Sequence, residues 1–475
     1  MISPEASSRP RIAIAGTSSF IGAAVCRALA PHFEVAALTR SMAKALAGGE
    51  EGVEVRPCDH FSRKELLSAL QGVDYAVYLA HNRDPSARLD QAQSRDMDLL
   101  VADNFAWAAA QAGVKQILCR APLVAEPYRR SARHAREMEK VLTSHGVPVT
   151  VLRTSLVLGP GGELSKLLVQ MVKRLPIVPL PRLADNQLRP IHLEGFLKAV
   201  RYCVGNPDTF SQAYDVFGPE SVTLRWMLQE TAAVMGRPAR TLAWQAMPKR
   251  LFALLLRLLR PSLHPDFLAY LLDMFSGDPQ GHTNPVEQEV ARAWKPLRRT
   301  LGESLSAEQA VEPALHRAMD DEAIRQLGRV RSIQRLRLPE GRNAEWLADH
   351  YFVWLGALMR LFVQTERSED GSWTVRQRPG GFVLLQLTFK PTHSTRNRRM
   401  YFITGGSLAR FLGGRTARLE FRDLLAGRYS MVAIHDFNPS LPWYFYRFTQ
   451  AVIHGLVMKG FQGHMEQLAD GPTPM

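Results

Sequence analysis

The residues best suited to chemistry at the start of this chain lie within residues 11–22, which read RIAIAGTSSFIG. A short apolar run, residues 12–15, leads into Gly16, and an apolar-periodic segment follows Gly22. This order predicts a strand, a tight turn and a helix. Such a turn aims backbone N–H groups and a helix N-terminus at a pyrophosphate, with Gly16 permitting the turn and Gly22 the close packing of the helix.

Ser19 stands where the three-glycine fingerprint of such turns has its middle glycine. That glycine normally lets a phosphate approach the backbone without a Cβ in the way. A serine there either adds a hydroxyl hydrogen bond or crowds the ligand, and the alternative is an α/β fold that has lost its cofactor. The residues predicted to contact the cofactor in this turn are Gly16, Ser18, Ser19, Phe20, Ile21 and Gly22.

Arg40 follows the second predicted strand, residues 34–38, at the position that distinguishes the two nicotinamide cofactors. An acidic side chain there would bind the ribose 2′-hydroxyl of NAD, whereas Arg40 offers a cation for the 2′-phosphate of NADP. We therefore expect NADP, with NAD as the alternative. Asp59 is placed to meet the adenine amino group, and Ala80 and His81 end a predicted strand that would line the cofactor cleft.

These residues belong to a longer rhythm of strands alternating with helices, which predicts an α/β fold with a doubly wound, Rossmann-type parallel sheet. We assign residues 1–206 to this NAD(P)-binding domain. Residues 207–322 form a mostly helical substrate-side subdomain and linker, and residues 323–475 form a separate α+β domain. In this last domain a series of strands is followed by a long helix, which predicts an antiparallel sheet curled around that helix.

The overall charge is strongly basic: the 475 residues carry a net charge of +14, and the pI is about 9.9. Such a charge suits nucleic acid, an anionic membrane or an anionic cofactor. The cations are spread along the chain, with no zinc-ligand spacing or RNA-binding signature, so we expect no nucleic-acid partner and no metal site.

Four cysteines, all beside apolar segments in the first half of the chain, are expected to be buried free thiols of a reducing compartment. The N-terminus lacks the architecture of a signal peptide, and no apolar run is long enough to span a bilayer. The sequence therefore predicts a cytoplasmic protein. Its oligomeric state is not encoded in any pattern of the sequence.

An apolar segment at residues 251–259 is interrupted only by Arg257. Leu251, Leu254, Leu255 and Leu258 share one helical face, and the remaining faces are apolar too. We expect a packed lid over the first domain, because an interfacial helix should have a strongly polar face. The alternatives are the mouth of an apolar substrate site or a peripheral membrane contact.

In the last domain the most site-like cluster is His435 with Asp436, near Glu420 and Arg422. These residues form either an acid/base pair or a turn in which Asp436 caps the final helix. Asp, Asn and Pro are strong turn formers, and the turn is the favoured alternative.

The stretches GTSSFIG, ALTRS, DYAVYLAH, DNFAWAAAQAGVKQIL and VPVTVLRTSLVLGPGG together resemble the atypical and extended short-chain dehydrogenase/reductases, and among them the NmrA-like NAD(P)H-binding proteins. The resemblance covers residues 11–237 and implies a nicotinamide cofactor and oxidoreductase chemistry. Enzymes of that family use a Tyr and a Lys four residues apart, with a Ser upstream. Here the strand reads ILCRAP without that Ser, Tyr128 is the only nearby tyrosine, and Ala132 occupies the Lys position.

The catalytic residues therefore stay unassigned, although Ser131 and His134 lie close to the expected place in the sequence. The last domain resembles the uncharacterised DUF2867 module found fused to such dehydrogenase-like domains, through stretches such as VRSIQRLRLP and YFITGGSLAR. Two functions remain open. One is an oxidoreductase acting on an apolar small molecule, and the other is a non-catalytic protein that senses the nucleotide or binds an apolar ligand.

Overall fold

The computed structural model describes residues 9–40, 52–81, 87–124, 129–238, 240–261, 263–277, 281–282, 284–292, 294–306, 328–410 and 417–471. The chain divides into two compact units. The N-terminal unit comprises Met1–His81 and Val101–His316, and the C-terminal unit comprises Asn82–Leu100 and Arg317–Met475. The division of the chain at residues 206 and 322 remains a prediction.

The strands and helices are numbered here in chain order. The strands are β1 (Arg11–Ala15), β2 (Glu34–Thr39), β3 (Val53–Pro57), β4 (Tyr75–Tyr78), β5 (Leu89–Ala92), β6 (Gln116–Pro122), β7 (Val149–Thr154), β8 (Val157–Leu158), β9 (Val178–Leu180), β10 (Ile191–His192), β11 (Ala213–Val216), β12 (Thr241–Ala243), β13 (Val330–Arg337), β14 (Val363–Arg367), β15 (Trp373–Gln377), β16 (Val383–Phe389), β17 (Arg398–Gly405), β18 (Arg418–Leu424) and β19 (Tyr429–Phe437). The helices are α1 (Phe20–Leu29), α2 (Arg63–Ala69), α3 (Ser94–Ala112), α4 (Arg130–Thr143), α5 (Glu163–Arg174), α6 (Leu193–Cys203), α7 (Leu224–Val234), α8 (Lys249–Leu259), α9 (Pro265–Met274), α10 (Pro285–Arg292), α11 (Leu297–Ser306), α12 (Ala344–Leu358), α13 (Trp443–Phe448) and α14 (Gln450–Asp470).

The N-terminal unit is organised around a seven-stranded sheet with the order β11-β7-β6-β4-β1-β2-β3, in which every pairing is parallel. Val25 of α1 and Phe196 of α6 pack in the core on one face, while Phe105 of α3 contacts Tyr78 on the other, with ring centroids 5.0 Å apart. The predicted doubly wound parallel sheet is therefore confirmed. The strand order reverses between β1 and β4, the place where such sheets bind ligands outside their carboxyl ends.

The strands of this sheet are buried on both faces, as their continuous apolar runs predict. Residues 12–15 of β1 are completely buried. The sequence predicts strands over residues 116–119 and 149–152; the structure extends them, as β6 and β7, to Pro122 and Thr154 and adds β11 as a seventh strand. The predicted strands are shorter because the residues at these ends are polar or Pro. In the structure, residues 120–122 of β6 nevertheless pair with residues 152–154 of β7.

The helical part of the N-terminal unit encloses a second core between α5, α7, α8, α9 and α11. In α8 the buried side chains are Phe252, Leu256 and Leu259. The face that the sequence groups together is the exposed one: Leu251, Leu254 and Leu258 face solvent in the part of the chain that is described. Because α8 is apolar on all faces, periodicity alone did not determine which one is packed.

The C-terminal unit contains an eight-stranded sheet with the order β14-β15-β16-β17-β18-β19-β13-β5. All pairings are antiparallel except that of β5 with β13. The predicted antiparallel sheet with a long helix is confirmed, and its core lies between the sheet and helices α12 and α14. The predicted helix over residues 344–363 ends at Leu358, because Val363 begins β14. None of the helices in the described ranges is long and apolar enough to cross a bilayer.

Candidate functional site

The turn between β1 and α1 is shaped by two glycines. Gly16 has a φ of +91°, and a Cβ there would lie 2.5 Å from the carbonyl carbon of Leu79. A Cβ on Gly22 would lie 2.2 Å from the carbonyl oxygen of Gly16. Neither position has room for a side chain, so both glycines are needed for the turn to stay tight and for α1 to begin beside it.

Ser19 is the N-cap of α1. Its Oγ accepts a hydrogen bond from the Gly22 N–H at 3.0 Å and donates one to the Gly16 carbonyl oxygen at 2.8 Å. The hydroxyl is therefore used inside the turn, in the manner typical of N-cap serines. This role was in neither alternative drawn from the sequence, because it depends on where the helix begins.

The remaining residues of the turn leave backbone donors available. The N–H groups of Ser18, Phe20 and Ile21 have no hydrogen-bond acceptor in the part of the chain that the structure describes. The ring of Phe20 packs against the turn after β8, where a Cβ on Gly159 would lie 2.9 Å from it. Ile21 packs against the core beneath α1. The turn thus presents N–H groups rather than side chains at the start of a helix, as anion sites do.

Arg40 lies directly after β2 and is half-buried. Its Nη1 is buried and has no hydrogen-bond partner, and Arg40 forms no ion pair within the described ranges. Thr17 connects the glycine turn to the same region, since its Oγ1 donates to the carbonyl oxygen of Leu38 at 3.3 Å. A buried guanidinium nitrogen without an acceptor is destabilising by itself, and an anion would satisfy it.

His60 does not add charge beside Arg40 at neutral pH. Burial, followed by the charge of Arg40, lowers the pKa of His60 to about 4. The imidazole is therefore neutral at pH 7, and Arg40 carries the positive charge at the end of β2.

Asp59 belongs to the loop after β3, which is held by its own polar groups. Its Oδ1 accepts from the N–H of Phe61 at 3.0 Å, and its N–H donates to the Glu65 carboxylate at 2.8 Å. The amide of Asn104 in α3 donates to the carbonyl oxygen of His60 at 3.2 Å. These bonds fix the loop, and one carboxylate oxygen of Asp59 takes part in fixing it.

Ala80 and His81 follow β4 on the other side of β1. Ala80 is buried and His81 is exposed. The N–H of Leu79 donates to the carbonyl oxygen of Ala15 at 2.9 Å, and the backbone of Leu79 and Ala80 is what a side chain at Gly16 would strike. The structure therefore brings these residues beside the glycine turn, at the reversal point of the sheet.

The positions of the family's catalytic residues hold different groups. Ala132, at the Lys position, is buried in α4, and Tyr128 lies outside the described residues. Ser131 is tied to α9, because its Oγ donates to the Asp273 carboxylate at 2.7 Å. His134 lies half-buried on α4, the same helix as Ser131.

Sequence reasoning missed one arrangement at this end of the sheet. Arg120, near the end of β6, donates through Nε to Thr154 Oγ1 at 2.6 Å and through Nη2 to the Tyr270 hydroxyl at 2.8 Å. The hydroxyl of Tyr270 accepts this bond and keeps its own proton for another acceptor. The Arg within the otherwise apolar strand ILCRAP was the available signal, but its partner lies 150 residues away.

His435 and Asp436 lie within β19 rather than in a turn before the final helix. Asp436 does not cap α13, whose N-cap is Pro442, and instead its Oδ2 accepts from Arg418 at 2.7 Å. His435 Nε2 contacts Glu420 Oε2 at 3.2 Å, and Glu420 also pairs with Arg398 and Arg422. Glu420, Arg422 and His435 are almost completely buried. The cluster is an internal ion network of the sheet.

Burial alone would raise the pKa of Glu420, but Arg398, Arg422 and His435 overcome it and hold that pKa well below the usual range. Burial, followed by the charge of Arg418, lowers the pKa of His435 to about 4. Burial also lowers the pKa of His454 to about 4. The folded C-terminal unit therefore keeps both imidazoles neutral in mildly acidic solution.

These two histidines predict that the C-terminal unit is acid-sensitive. Their stabilising contribution is complete above the unfolded pKa of about 6.5 and is lost as the pH falls toward 4, because only the unfolded chain takes up the protons. When the pH falls from 7.5 to 5, these two histidines together lower the free energy of unfolding by about 4 kcal/mol. Burial raises the pKa of Asp423 to about 6. Because the folded chain therefore takes up a proton at Asp423 over this pH range, this group restores about 1.4 kcal/mol of the free energy of unfolding. We expect the free energy of unfolding of the C-terminal unit to fall by about 2–3 kcal/mol between pH 7.5 and 5.

Hydrogen exchange of peptides from β18 and β19, followed across this pH range, measures the change in the C-terminal unit alone. His454→Asn should remove about half of the histidine contribution, since His435 then remains as the main titrating group. Equal protection of these strands at pH 7.5 and 5 would contradict the assignment.

The four cysteines are free and buried. Burial raises the pKa of the Cys58, Cys119 and Cys203 thiols to about 12, so these thiols are not nucleophiles at neutral pH. No group of three or more His, Cys, Asp or Glu side chains is arranged to hold a metal ion in the ranges that the structure describes.

Comparison with known proteins agrees with the geometry of the turn. Residues 16–163 match a protein family described as NAD(P)H-binding. The matched segment begins at Gly16 and includes Arg40, Asp59 and His81. Residues 16–163 therefore form an NAD(P)H-binding domain with a Rossmann-type fold, and the predicted cofactor is confirmed at the level of NAD(P)H.

Among curated relatives, the chain is 33% identical over 147 residues to quinone oxidoreductase 2 of Escherichia coli, covering 30% of this chain and 47% of that protein. It is 27% identical over 141 residues to the auxiliary protein GraX of Staphylococcus aureus, covering 30% of this chain and 43% of that protein. The chain thus spans less than half the length of both relatives. A solved structure of triphenylmethane reductase from Citrobacter sp., complexed with NADP(H), is 18% identical with a TM-score of 0.49, and covers 62% of this chain and 99% of that one.

Proposed function

We propose that this chain is an NADPH-dependent oxidoreductase that reduces an apolar small molecule. The observation that carries the proposal is the buried, unpartnered Nη1 of Arg40 at the end of β2. A 2′-phosphate is the anion that an NADPH-binding domain brings to that strand end, and a guanidinium can bind it through two hydrogen bonds. A carboxylate at this position would have favoured NADH instead.

The residues present fit the cofactor in two further respects. The N–H groups of Ser18, Phe20 and Ile21 would hold the pyrophosphate, and Gly16 and Gly22 keep side chains out of that place. When bound, the cofactor supplies a hydride. The site assignments made from the sequence, including Asp59, Ala80 and His81, become part of this proposal because the turn and both flanking strand ends lie together.

The substrate side of the proposal rests on Arg120 and Tyr270. The Arg120 guanidinium donates to the Tyr270 hydroxyl, which leaves the phenolic proton free to be donated to a substrate oxygen. We assign Tyr270 as the group that holds the proton in place of the missing Tyr–Lys pair. The quinone substrate in the name of one relative is an acceptor of this kind, an apolar ring that gains a hydride and a proton.

Calorimetry of the full chain with NADPH and NADH tests the cofactor, and NADPH consumption in the presence of simple quinones tests the reaction. We expect NADPH to bind about tenfold or more tightly than NADH, since bonds to a charged group contribute about 1.5–3 kcal/mol. Absence of heat with both nucleotides would overturn the cofactor site. Binding without any turnover would limit the chain to nucleotide binding.

A second candidate function is a non-catalytic protein that senses NADPH. It is favoured by one observation, the buried Ala132 at the position of the family's lysine, which removes the group that normally lowers the pKa of the tyrosine. Transfer of deuteride from labelled NADPH to a quinone at an enzyme-like rate would exclude this candidate.

A further inference from the structure

One end of the helix pair α12–α14 in the C-terminal unit exposes many large apolar side chains. Along α13 and α14 they recur at helical spacing, and two of them, Phe445 and Phe448, are each 60% exposed. Leu441 lies just before these helices, and the exposed members at this end of them are Tyr444, Phe445, Phe448, Val452, Ile453 and Leu456, while Leu468 lies near the far end of α14. Single exposed apolar residues are ordinary, whereas a continuous stripe marks an interaction surface.

Helix α12 adds to the same surface because it runs antiparallel to α14. His350 contacts His464 through their Nε2 atoms at 2.9 Å, and Trp354 packs on Phe461 with ring centroids 4.9 Å apart. Residues later in α12 therefore contact residues earlier in α14, and the C-terminal end of α12 lies beside the first half of α14. That end carries exposed Leu358, Leu361 and Phe362. We call the two exposed sets together the helix-end surface.

The segments that carry the helix-end surface contain cations but no acidic residues. Residues 350–365 and 437–465 contain no Asp or Glu. Residues 371–419 also contain no Asp or Glu, although they contain nine Lys and Arg. Arg360, Arg410, Arg447 and Lys459 are exposed, and none of them forms an ion pair within the described ranges. The Nε of Arg410 donates to the carbonyl oxygen of Ser440, which places this cation beside Leu441.

We propose that the helix-end surface docks on an anionic lipid membrane. Aromatic and aliphatic side chains would enter the boundary between headgroups and acyl chains, and the cations around them would meet lipid phosphates. Unpaired cations beside an acid-free apolar stripe complement such a surface, whereas a second copy of the same surface would bring like charges together. The helices lie on the membrane rather than cross it, and the docking is independent of the proposed oxidoreductase activity.

Co-sedimentation of the full chain with vesicles tests the proposal. We expect binding to vesicles of mixed phosphatidylglycerol and phosphatidylcholine, much weaker binding to phosphatidylcholine alone, and weakening with salt. Phe445→Ser with Phe448→Ser should reduce the binding at least tenfold. Arg447→Gln with Lys459→Gln should reduce it as well, by about fivefold for each cation that meets the surface.

The matched control is Leu254→Ser with Leu258→Ser in α8, whose side chains are 52% and 67% exposed in the other unit. This pair should leave vesicle binding unchanged, and circular dichroism should show that every variant is folded. Three outcomes overturn the proposal. The unmodified chain does not bind vesicles, the Leu254/Leu258 variant loses as much vesicle binding as the Phe445/Phe448 variant, or the Phe445/Phe448 variant binds as well as the unmodified chain. A dimer that this variant converts to a monomer, without vesicle binding, would assign the surface to self-association instead.

Discussion

Glu420→Gln is expected to lower the free energy of unfolding of the C-terminal unit by about 3–5 kcal/mol. The glutamate is the anion that Arg398 and Arg422 share in a buried network, and the substitution removes its charge from between them. Removing one member of a buried ion pair costs far more than the pair itself contributes, because the remaining charge stays desolvated. Denaturant unfolding followed by hydrogen exchange of β17 and β18 measures the loss in this unit.

Glu366→Gln is the matched control, since Glu366 also lies on a strand of this sheet and pairs with an arginine, Arg376, at 3.0 Å. That pair is exposed, and its loss should change stability by less than about 0.5 kcal/mol. The double variant Glu420→Gln/Arg422→Gln should be more stable than Glu420→Gln alone, because it also removes a buried positive charge that Glu420 neutralised. A cost for Glu420→Gln no larger than that for Glu366→Gln would show that the network does not stabilise the fold.

Arg40→Asp is expected to weaken NADPH binding about 100-fold, while NADH binding is unchanged or stronger. The substitution removes the donor for the 2′-phosphate and places a negative charge beside it, and each effect costs about 1.5 kcal/mol or more. An acidic residue at this strand end also suits the ribose 2′-hydroxyl of NADH. Calorimetric titration with both nucleotides measures the ratio of their affinities.

Arg40→Met separates cofactor binding from folding. Because Nη1 has no partner in the described structure, the methionine variant should be at least as stable as the unmodified chain without nucleotide. Arg56→Gln is the control, since Arg56 lies on neighbouring β3 and already pairs with Glu54 at 2.9 Å. An unaltered preference for NADPH in Arg40→Asp, or an equal shift in Arg56→Gln, would remove Arg40 from the cofactor site.

The Rossmann-type sheet and its glycine turn were predictable because they depend on local patterns. The buried run of residues 12–15, Gly16 and Gly22 specify a strand, a turn and a helix within about a dozen neighbouring residues. Residues 330–336 were likewise marked by alternation, and the segment 429–437 between polar turns is predicted as a strand with the bounds observed for β19. Such features are decided by backbone conformation and by which face of an element is apolar.

Other features required partners that are distant in the sequence. Arg120 and Tyr270 are 150 residues apart, and the pairing of β5 with β13 joins residues 89–92 to a strand about 240 residues later. The members of the Glu420 network come from three strands, and only the register of those strands places them together. A sequence pattern shows that a charge is present, but register decides whether it is paired.

By itself the sequence determined the class of the N-terminal fold and the nature of its cofactor, and it shows that residues 350–365 and 437–465 carry no Asp or Glu. Tertiary structure alone decided that Arg40 keeps a buried nitrogen without a partner in the described structure and that α8 exposes most of the face grouped by its periodicity. The physical reason is the range of the forces involved. Backbone preferences and apolar periodicity act between neighbours, whereas burial and hydrogen-bond satisfaction depend on every element packed around a side chain.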